Sequence, residues 1–325
     1  MTTTDVPGPA ERDILLEVDG LEVDFPAGRN SVTRAVAGVS FDVRRGETLG
    51  IVGESGCGKS TTARAILQLP RPTRGSVRFD GRDLVALSDK EMRSVRRRLQ
   101  VILQDPIASL NPRRKVRDIV AEGLTIWGVA DVRDRVRRAM EAVGLDPDLT
   151  GDRLPSEFSG GQCQRISIAR ALALEPDMII CDEPVSALDV SVQAQIVNLL
   201  EDLKDQYGLT LVFVSHDLSV VRVISDRVMV MYLGKVCEIG SVADVFDDPK
   251  HHYTQMLLDA LPLPDPDATR ASAPPRGEIP SVVSPPSGCR FRTRCPRATS
   301  FCAEVEPMLT DVGNGRSVFC HFPLT

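Results

Sequence analysis

The sequence contains no uninterrupted apolar run of about 18 residues, the length that a membrane-spanning helix needs. Its first residues, MTTTDVPGPAERD, also lack the basic segment followed by an apolar segment that defines a secretory signal peptide. Residues 1–12 are therefore expected to form a flexible tail. Both absences predict a cytosolic protein whose contact with any membrane is made through another chain.

An excess of basic residues is missing as well. The 325 residues include 39 lysines and arginines against 45 aspartates and glutamates, which gives a net charge of −6. Proteins that bind nucleic acids usually carry a basic excess, so neither DNA nor RNA is expected as a partner. The share of apolar residues, 42%, and that of charged residues, 26%, are ordinary for a globular protein.

Strand and helix patterns change several times along the chain. Residues 14–41 alternate between apolar and polar side chains around a break at residues 28–30, which predicts an antiparallel hairpin at a sheet edge. A second antiparallel stretch is predicted at residues 75–84, with a turn at Asp80 and Gly81. From Glu47 a short apolar strand, a glycine-rich turn and a helix predict an α/β unit. Strands and helices alternate again up to about residue 240.

Composition divides the chain into four parts. Eight prolines lie between residues 262 and 287, too many for a helix or a central strand, so this part is expected to be an extended linker. The predicted parts are a tail (1–12), a main domain (13–260) with a helical subdomain at about 105–165, the linker (261–287) and a cysteine-rich C-terminal domain (288–325).

A glycine-rich motif, GESGCGKS, occupies residues 53–60 and matches the phosphate-loop pattern G-x-x-x-x-G-K-S/T. It follows a predicted strand and precedes a predicted helix, the context that the motif requires. Glycines let the backbone wrap around phosphate oxygens, and the helix N-terminus attracts the anion. Lys59 is expected to reach the β- and γ-phosphates and Ser60 to bind Mg²⁺; a plain glycine turn is the weaker alternative. The candidate nucleotide-binding residues here are Gly53, Glu54, Ser55, Gly56, Cys57, Gly58, Lys59, Ser60 and Thr61.

Two adjacent carboxylates follow the apolar strand predicted at residues 178–181. Asp182 can bind Mg²⁺ directly or through water, while Glu183 can polarise the attacking water as a general base. Either carboxylate alone could be a surface charge at a strand end. Because both follow a phosphate loop in the same chain, the catalytic interpretation is favoured.

A third motif, Ser-Gly-Gly-Gln, occupies residues 159–162 before a predicted helix at residues 164–173. Serine and glycines at a helix start form an anion site, although alone they also make an ordinary helix cap. With the phosphate loop before it and the carboxylates after it, the motif resembles the signature sequence of ABC-family ATPases. The resemblance implies a P-loop NTPase of the α/β class with a mixed sheet, an antiparallel β subdomain, a helical subdomain and, here, a small cysteine-rich C-terminal appendix.

In the ABC family, two such domains sandwich two ATP molecules, each phosphate loop facing the signature of the other domain. The resemblance therefore implies that Ser159, Gly160, Gly161 and Gln162 contact the γ-phosphate bound by a partner. Cys163 departs from the family, where arginine is frequent, and we expect little loss of hydrolysis from it.

Further roles follow from the same resemblance. Gln104 corresponds to the glutamine that senses Mg²⁺ and the attacking water, and His216 to the switch histidine that contacts the γ-phosphate. Asp189 ends the loop that links the two ATP sites. Phe25 is a candidate for stacking on adenine, with a place in the core as an equally weighted alternative.

Two stretches, QDPIASLNP at residues 104–112 and EPVSALDVSVQAQ at residues 183–195, resemble the ATPases of oligopeptide and dipeptide importers. The resemblance is closest to the second of the two paired ATPases in such importers. It implies a second ABC ATPase subunit (another chain or a second copy), two transmembrane permease subunits, an extracytoplasmic substrate-binding protein, and a peripheral position on the cytoplasmic face of the membrane. A soluble ABC ATPase of translation or DNA repair, or an importer of nickel or another small solute, is the alternative.

Four of the eight cysteines lie in the C-terminal part, at Cys289, Cys295, Cys302 and Cys320. In a reducing cytosol this density favours a metal site over disulfides, and thiolates suit zinc or an iron–sulfur cluster. The spacing lacks the paired knuckles of zinc ribbons. Since members of the resembled group can carry a [4Fe-4S] cluster in this region, that cofactor is expected here, with zinc or free packed thiols as alternatives.

Overall fold

The computed structural model describes residues 13–27, 32–261 and 277–325. The predicted tail (1–12), the predicted break at residues 28–30 and most of the predicted linker lie outside the described residues. Among the helices that are described, none is both long and apolar enough to cross a membrane.

A four-stranded sheet is formed by the N-terminal part, in the order β2-β1-β4-β5, and every neighbouring pair is antiparallel. Its strands are β1 (Ile14–Pro26), β2 (Val32–Arg44), β4 (Arg74–Phe79) and β5 (Arg82–Asp83). The predicted hairpin and the second antiparallel stretch are both confirmed, with the second turn at Asp80 and Gly81 in left-handed backbone.

The central sheet has eight strands among the described residues, in the order β11-β12-β10-β9-β3-β8-β7-β6. Its strands are β3 (Thr48–Val52), β6 (Leu99–Ile102), β7 (Met178–Asp182), β8 (Thr210–Val214), β9 (Arg227–Tyr232), β10 (Lys235–Ser241), β11 (Thr310–Asp311) and β12 (Ser317–Val318). The strands from β9 to β6 run parallel, and those from β10 to β11 are antiparallel. Strands β3, β7 and β8 are buried along their whole length, which explains their continuous apolar sequence.

Helices connect the parallel strands and cover the sheet. They are α1 (Lys59–Ile66), α2 (Asp89–Arg98), α3 (Val116–Ile126), α4 (Val132–Ala142), α5 (Pro147–Thr150), α6 (Gly160–Leu172), α7 (Val190–Tyr207), α8 (Leu218–Ile224), α9 (Val242–Asp247), α10 (His252–Asp259) and α11 (Phe301–Glu304), with a 3₁₀ turn at Pro155–Glu157. Because β3, β6, β7 and β8 run parallel, their carboxyl ends meet at one edge of the sheet, where such folds bind ligands.

The helical segment consists mainly of α3, α4 and α6. Helices α3 and α4 bury one face each, whereas α6 is buried on most sides. Ile119, Met140 and Ile166 contribute to one shared core. Helix α6 begins at Gly160, before the predicted start at residue 164, because Ser159 and Gln162 form a reciprocal cap. The Gln162 amide donates to the Ser159 hydroxyl, and the Ser159 amide donates to the Gln162 side chain.

The cysteine-bearing residues 288–325 are joined to the central sheet. Strand β12 pairs with β10, Val318 opposite Glu238 and Ser317 opposite Ile239. Beneath this contact Arg316 donates to the Glu238 carboxylate at 2.6 Å, and both side chains are almost completely buried. Phe291 lies in the same apolar core as β9. The sequence predicts an appendix behind a linker, whereas in the structure these residues complete one side of the main domain.

Candidate functional site

A cleft of about 530 Å³ opens at the carboxyl edge of the central sheet. Each of the adjacent strands β3, β8, β7 and β6 is followed by a polar segment that reaches this cleft. The residues that line it are Ala35, Ser55, Gly56, Gly58, Lys59, Ser60, Thr61, Gln104, Glu183 and His216. The structure thus brings together the phosphate loop, the second carboxylate, the glutamine and the histidine that the sequence placed in separate motifs.

Close approach to neighbouring backbone explains two glycines of the phosphate loop. Gly53 and Gly58 have φ values of +151° and +103°, which side-chain-bearing residues rarely adopt. A Cβ on Gly58 would lie 2.4 Å from the carbonyl oxygen of Ala35, and one on Gly53 would lie 2.2 Å from that of Met231. The loop is therefore pressed against β2 and β9, and its shape depends on glycine at these two positions.

Lys59 is the first residue of α1 and only 4% exposed. Its ammonium group donates to the carbonyl oxygens of Gly53 at 2.8 Å and Glu54 at 3.1 Å, so the lysine spans its own loop. An ammonium held in this place can exchange carbonyl oxygens for phosphate oxygens with a small movement.

Two polar side chains contact one carboxylate oxygen of Glu183. The Gln104 side-chain amide donates to Oε2 at 3.0 Å, and Nδ1 of His216 lies 3.4 Å from the same atom. The Glu183 backbone has a φ of +50°, a left-handed conformation unusual for glutamate, and its amide donates to the carbonyl of Val214. This turn after β7 directs the carboxylate into the cleft, where it can accept a proton from water.

Asp182, the last residue of β7, is completely buried. Arg64 of α1 donates to Oδ2 from Nε at 3.0 Å and from Nη2 at 2.9 Å. The other oxygen, Oδ1, has no hydrogen-bond partner among the described residues. Buried polar atoms are normally paired, so this unpaired carboxylate oxygen at the end of β7 fits the hydration shell of a magnesium ion, although Asp182 does not line the cleft itself.

The signature residues lie away from the cleft of their own chain. Ser159 and Gln162 are exposed at the start of α6, and none of the four signature residues lines the cleft. A Cβ on Gly161 would approach Val192 of α7 to 2.5 Å, so the signature packs on the start of α7. Asp189 caps that helix by accepting from the Val192 amide at 3.2 Å. The signature and Asp189 therefore lie close together at the start of α7, outside the cleft of this chain.

Phe25 is 39% exposed near the end of β1, opposite Thr33 in register. It is not part of the buried core, which was the alternative interpretation of this residue. It does not line the cleft of the described residues either, and stacking on adenine stays a prediction.

Two residues that the sequence does not indicate, Tyr253 and Arg294, contact the phosphate loop on the side away from the cleft. The Tyr253 hydroxyl accepts from the Glu54 amide at 2.9 Å. Arg294 donates to both carboxylate oxygens of Glu54, at 2.7 and 3.0 Å. Since Arg294 lies 240 residues from Glu54 along the chain, no local pattern could have indicated the contact.

The four C-terminal cysteines all face one small cavity of about 10 Å³, room for about one water-sized body. Burial raises the pKa of the Cys289 and Cys295 thiols and raises that of Cys320 to about 11. Within residues 13–27, 32–261 and 277–325, no group of three or more histidine, cysteine or carboxylate side chains is arranged to hold a metal ion.

Comparison with known proteins identifies the family. Residues 36–186 match the ABC transporter family, and residues 237–302 match the C-terminal region of oligopeptide/dipeptide transporters. A putative peptide import ATP-binding protein of Brucella ovis is 53% identical over 309 residues, which cover 94% of this chain and 97% of that protein. The oligopeptide transport ATP-binding protein OppF of Salmonella typhimurium is 52% identical, with 92% of this chain and 93% of OppF covered.

Solved structures agree with the fold. The ATP-binding cassette MJ0796, in a dimer bound to ADP and phosphate, superposes with a TM-score of 0.64 at 29% identity and covers 70% of this chain and 98% of that one. The predicted P-loop ATPase fold with a mixed sheet, an antiparallel sheet and helices is thereby confirmed. The chain belongs to the ABC transporter family of ATPases, in the group of oligopeptide and dipeptide transport ATP-binding proteins.

Proposed function

We propose that this chain binds and hydrolyses ATP to energise the import of dipeptides or oligopeptides through partner permease subunits. The observation that carries the proposal is the meeting of Gln104, Glu183 and His216 at one carboxylate oxygen that faces the phosphate loop. The peptide cargo is inferred from the names of two relatives, which share about half of the sequence over nearly the whole chain.

Binding of ATP begins at the phosphate loop. Amide hydrogens of residues 55–61 and the N-terminus of α1 receive the phosphates. Lys59 leaves the carbonyls of Gly53 and Glu54 and moves to the β- and γ-phosphates. The Ser60 hydroxyl and the free oxygen of Asp182 would hold Mg²⁺, which supplies charge neutralisation for phosphoryl transfer.

Hydrolysis then depends on Glu183. Its carboxylate accepts a proton from the attacking water, Gln104 orients that water, and His216 contacts the γ-phosphate. Gln104 and His216 already contact the Glu183 carboxylate in the structure, so the three side chains can act together on the bound ATP.

A single chain holds half of each composite site. Because its signature lies outside its own cleft, Ser159 to Gln162 serve the ATP bound by a partner, and Asp189 links the two sites. The partner is a second ABC ATPase, either a different subunit or a second copy, and MJ0796 provides a precedent for a dimer. Two permeases and an extracytoplasmic substrate-binding protein complete the importer, with this chain on the cytoplasmic face.

The C-terminal cysteines are a further candidate site on the chemistry of their side chains alone. Cys289, Cys295, Cys302 and Cys320 line one cavity, although among the described residues no three of them are arranged to hold a metal ion. Four thiolates are the ligand type of a [4Fe-4S] cluster, with a single zinc ion as the alternative. The cluster would have a structural role. Protein purified without oxygen is expected to contain iron and acid-labile sulfide and to lose both on Cys295→Ser; colourless protein with one zinc per chain would contradict this assignment.

Reconstitution tests the transport proposal. The chain would be purified from native membranes with its associated subunits and inserted into vesicles, and ATP-dependent uptake of labelled dipeptides and oligopeptides would be measured. Uptake of peptide that stops without ATP is the expected result. Co-purification with ribosomes or DNA, or uptake of nickel with no peptide transport, would favour the alternatives.

A further inference from the structure

A buried ion pair joins the C-terminal segment to the phosphate loop. The guanidinium of Arg294 donates to both oxygens of the Glu54 carboxylate, at 2.7 and 3.0 Å. The Arg294 side chain is 4% exposed and that of Glu54 is 22% exposed. This paired geometry fixes the direction of both groups as well as their distance.

Aromatic packing holds the arginine in place. Its guanidinium lies over the ring of Tyr232, 5.8 Å from the centroid. Phe291, three residues earlier, packs edge-to-face against the ring of Tyr232 and at a tilt against that of Tyr253, with 5.3 Å between centroids in each case. Since the Tyr253 hydroxyl accepts from the Glu54 amide, both the side chain and the backbone of Glu54 are tied to this packed unit.

A second contact from the same segment reaches the turn between β9 and β10. Arg290 donates to the carbonyl of Leu233, and the next residue, Gly234, donates its amide to the carbonyl of Cys57 in the phosphate loop at 2.7 Å. Residues 290–294 therefore hold the loop at two places, although Arg294 does not line the cleft itself.

The charge of Glu54 gives this contact a consequence for ligand binding. A carboxylate in a loop that must receive the phosphates of ATP repels them unless a cation compensates it, and the effect is strong where water is scarce. Within the described residues, Arg294 is the side chain that forms an ion pair with Glu54. It lies behind the loop, so it neutralises the carboxylate without taking the place of a phosphate.

We propose that Arg294 is a positioning residue of the ATP site, which acts through Glu54 to fix the phosphate loop and to cancel its negative charge. The cysteine-bearing C-terminal segment thereby sets the affinity of the chain for ATP. This inference rests on the proposed ATP-binding function and extends it to a residue outside the nucleotide motifs.

A matched control exists in the same part of the chain. Arg316 pairs with Glu238 at 2.6 Å, and the two side chains are 5% and 0% exposed, against 4% and 22% for Arg294 and Glu54. This pair ties β12 to β10 and touches no residue of the phosphate loop. Arg316→Gln therefore costs a buried ion pair of the C-terminal segment, as Arg294→Gln does, without leaving a carboxylate unpaired at the ATP site.

The experiment compares ATP dissociation constants of four full-length variants with the wild type, by calorimetry with ATP and Mg²⁺. Arg294→Gln is expected to weaken binding by about tenfold, because it leaves the Glu54 charge unpaired. The double variant Glu54→Gln with Arg294→Gln removes both charges and is expected to return to within about threefold of the wild type. Glu54→Gln alone completes the cycle with a smaller effect than Arg294→Gln, and Arg316→Gln is expected to bind like the wild type.

Two results would overturn the inference alone: binding by Arg294→Gln equal to that of Arg316→Gln, or no recovery in the double variant. Recovery in the double variant separates a charge effect from loss of folding, since that variant lacks the ion pair too. A wild-type chain that binds no ATP would overturn the proposed function, and this inference with it.

Discussion

The side-chain amide of Gln104 donates a hydrogen bond of 3.0 Å to the carboxylate of Glu183, across 79 residues of sequence. It joins the segment after β6 to the segment after β7, two parallel neighbours in the central sheet. In this position Gln104 can contact a ligand in the cleft and orient the Glu183 carboxylate towards it.

Gln104→Ala tests the orienting role. Without the side-chain amide of Gln104, the Glu183 carboxylate can rotate and the attacking water is no longer oriented by a hydrogen bond. ATP turnover should therefore fall by about tenfold to a hundredfold. The affinity for ATP should stay nearly unchanged, because the phosphate loop is intact. Steady-state turnover and equilibrium binding measured on the same preparation would show this split, whereas an equal loss in both would point to a structural role. Gln100→Ala, a change on β6 outside the cleft, is the control.

Ser159→Arg tests the composite site. The residue is exposed and outside its own cleft, so the variant should bind ATP like the wild type. Hydrolysis should drop by about a hundredfold or more, since the arginine obstructs the phosphate bound by the partner. Binding and turnover would be measured at protein concentrations that allow dimers to form. Weakened ATP binding by the isolated chain would contradict the arrangement.

His251 gives the stability a pH dependence. Burial lowers the pKa of its ring to about 3, with a smaller contribution from the neighbouring His252. A histidine in the unfolded chain has a pKa of about 6.5. Between about pH 6.5 and pH 3 this histidine is therefore protonated in the unfolded chain and neutral in the folded chain. The free energy of unfolding should therefore fall as the pH drops through this window, by about 2 kcal/mol from this group between pH 7 and 5.

Denaturant unfolding of His251→Asn at pH 7 and pH 5 measures the effect. Asparagine can still accept from the Tyr253 amide, as the imidazole does at 3.0 Å, but does not titrate. The variant should lose most of that pH-dependent difference, while His216→Asn, at a residue whose side chain is 57% exposed, should keep it. An unchanged pH dependence in His251→Asn would show that other groups are responsible.

The sequence predicted the parts of the site that are contiguous in the chain. The phosphate loop and the Asp182–Glu183 pair could be recognised because their chemistry needs neighbouring residues. The roles of Gln104 and His216 can be predicted only through family resemblance, and the fold brings both side chains to Glu183. The contacts of Arg294 with Glu54 and of Arg316 with Glu238 could not be predicted, because single arginines in a proline- and arginine-rich segment give no pattern that names a distant partner. For the same reason the C-terminal residues appeared as an appendix, although β12 belongs to the main sheet.

ATP turnover by Glu183→Gln, with Glu175→Gln as control, is the most direct test of ATP hydrolysis at this cleft. Glu175 also has left-handed backbone, with φ of +51° against +50° for Glu183, and lies outside the cleft. Glu183→Gln should bind ATP with near wild-type affinity, lose turnover by about a hundredfold to ten-thousandfold, and accumulate as an ATP-bound dimer. Glu175→Gln should hydrolyse ATP like the wild type. Near-normal turnover in Glu183→Gln would contradict the assignment of Glu183 as the general base.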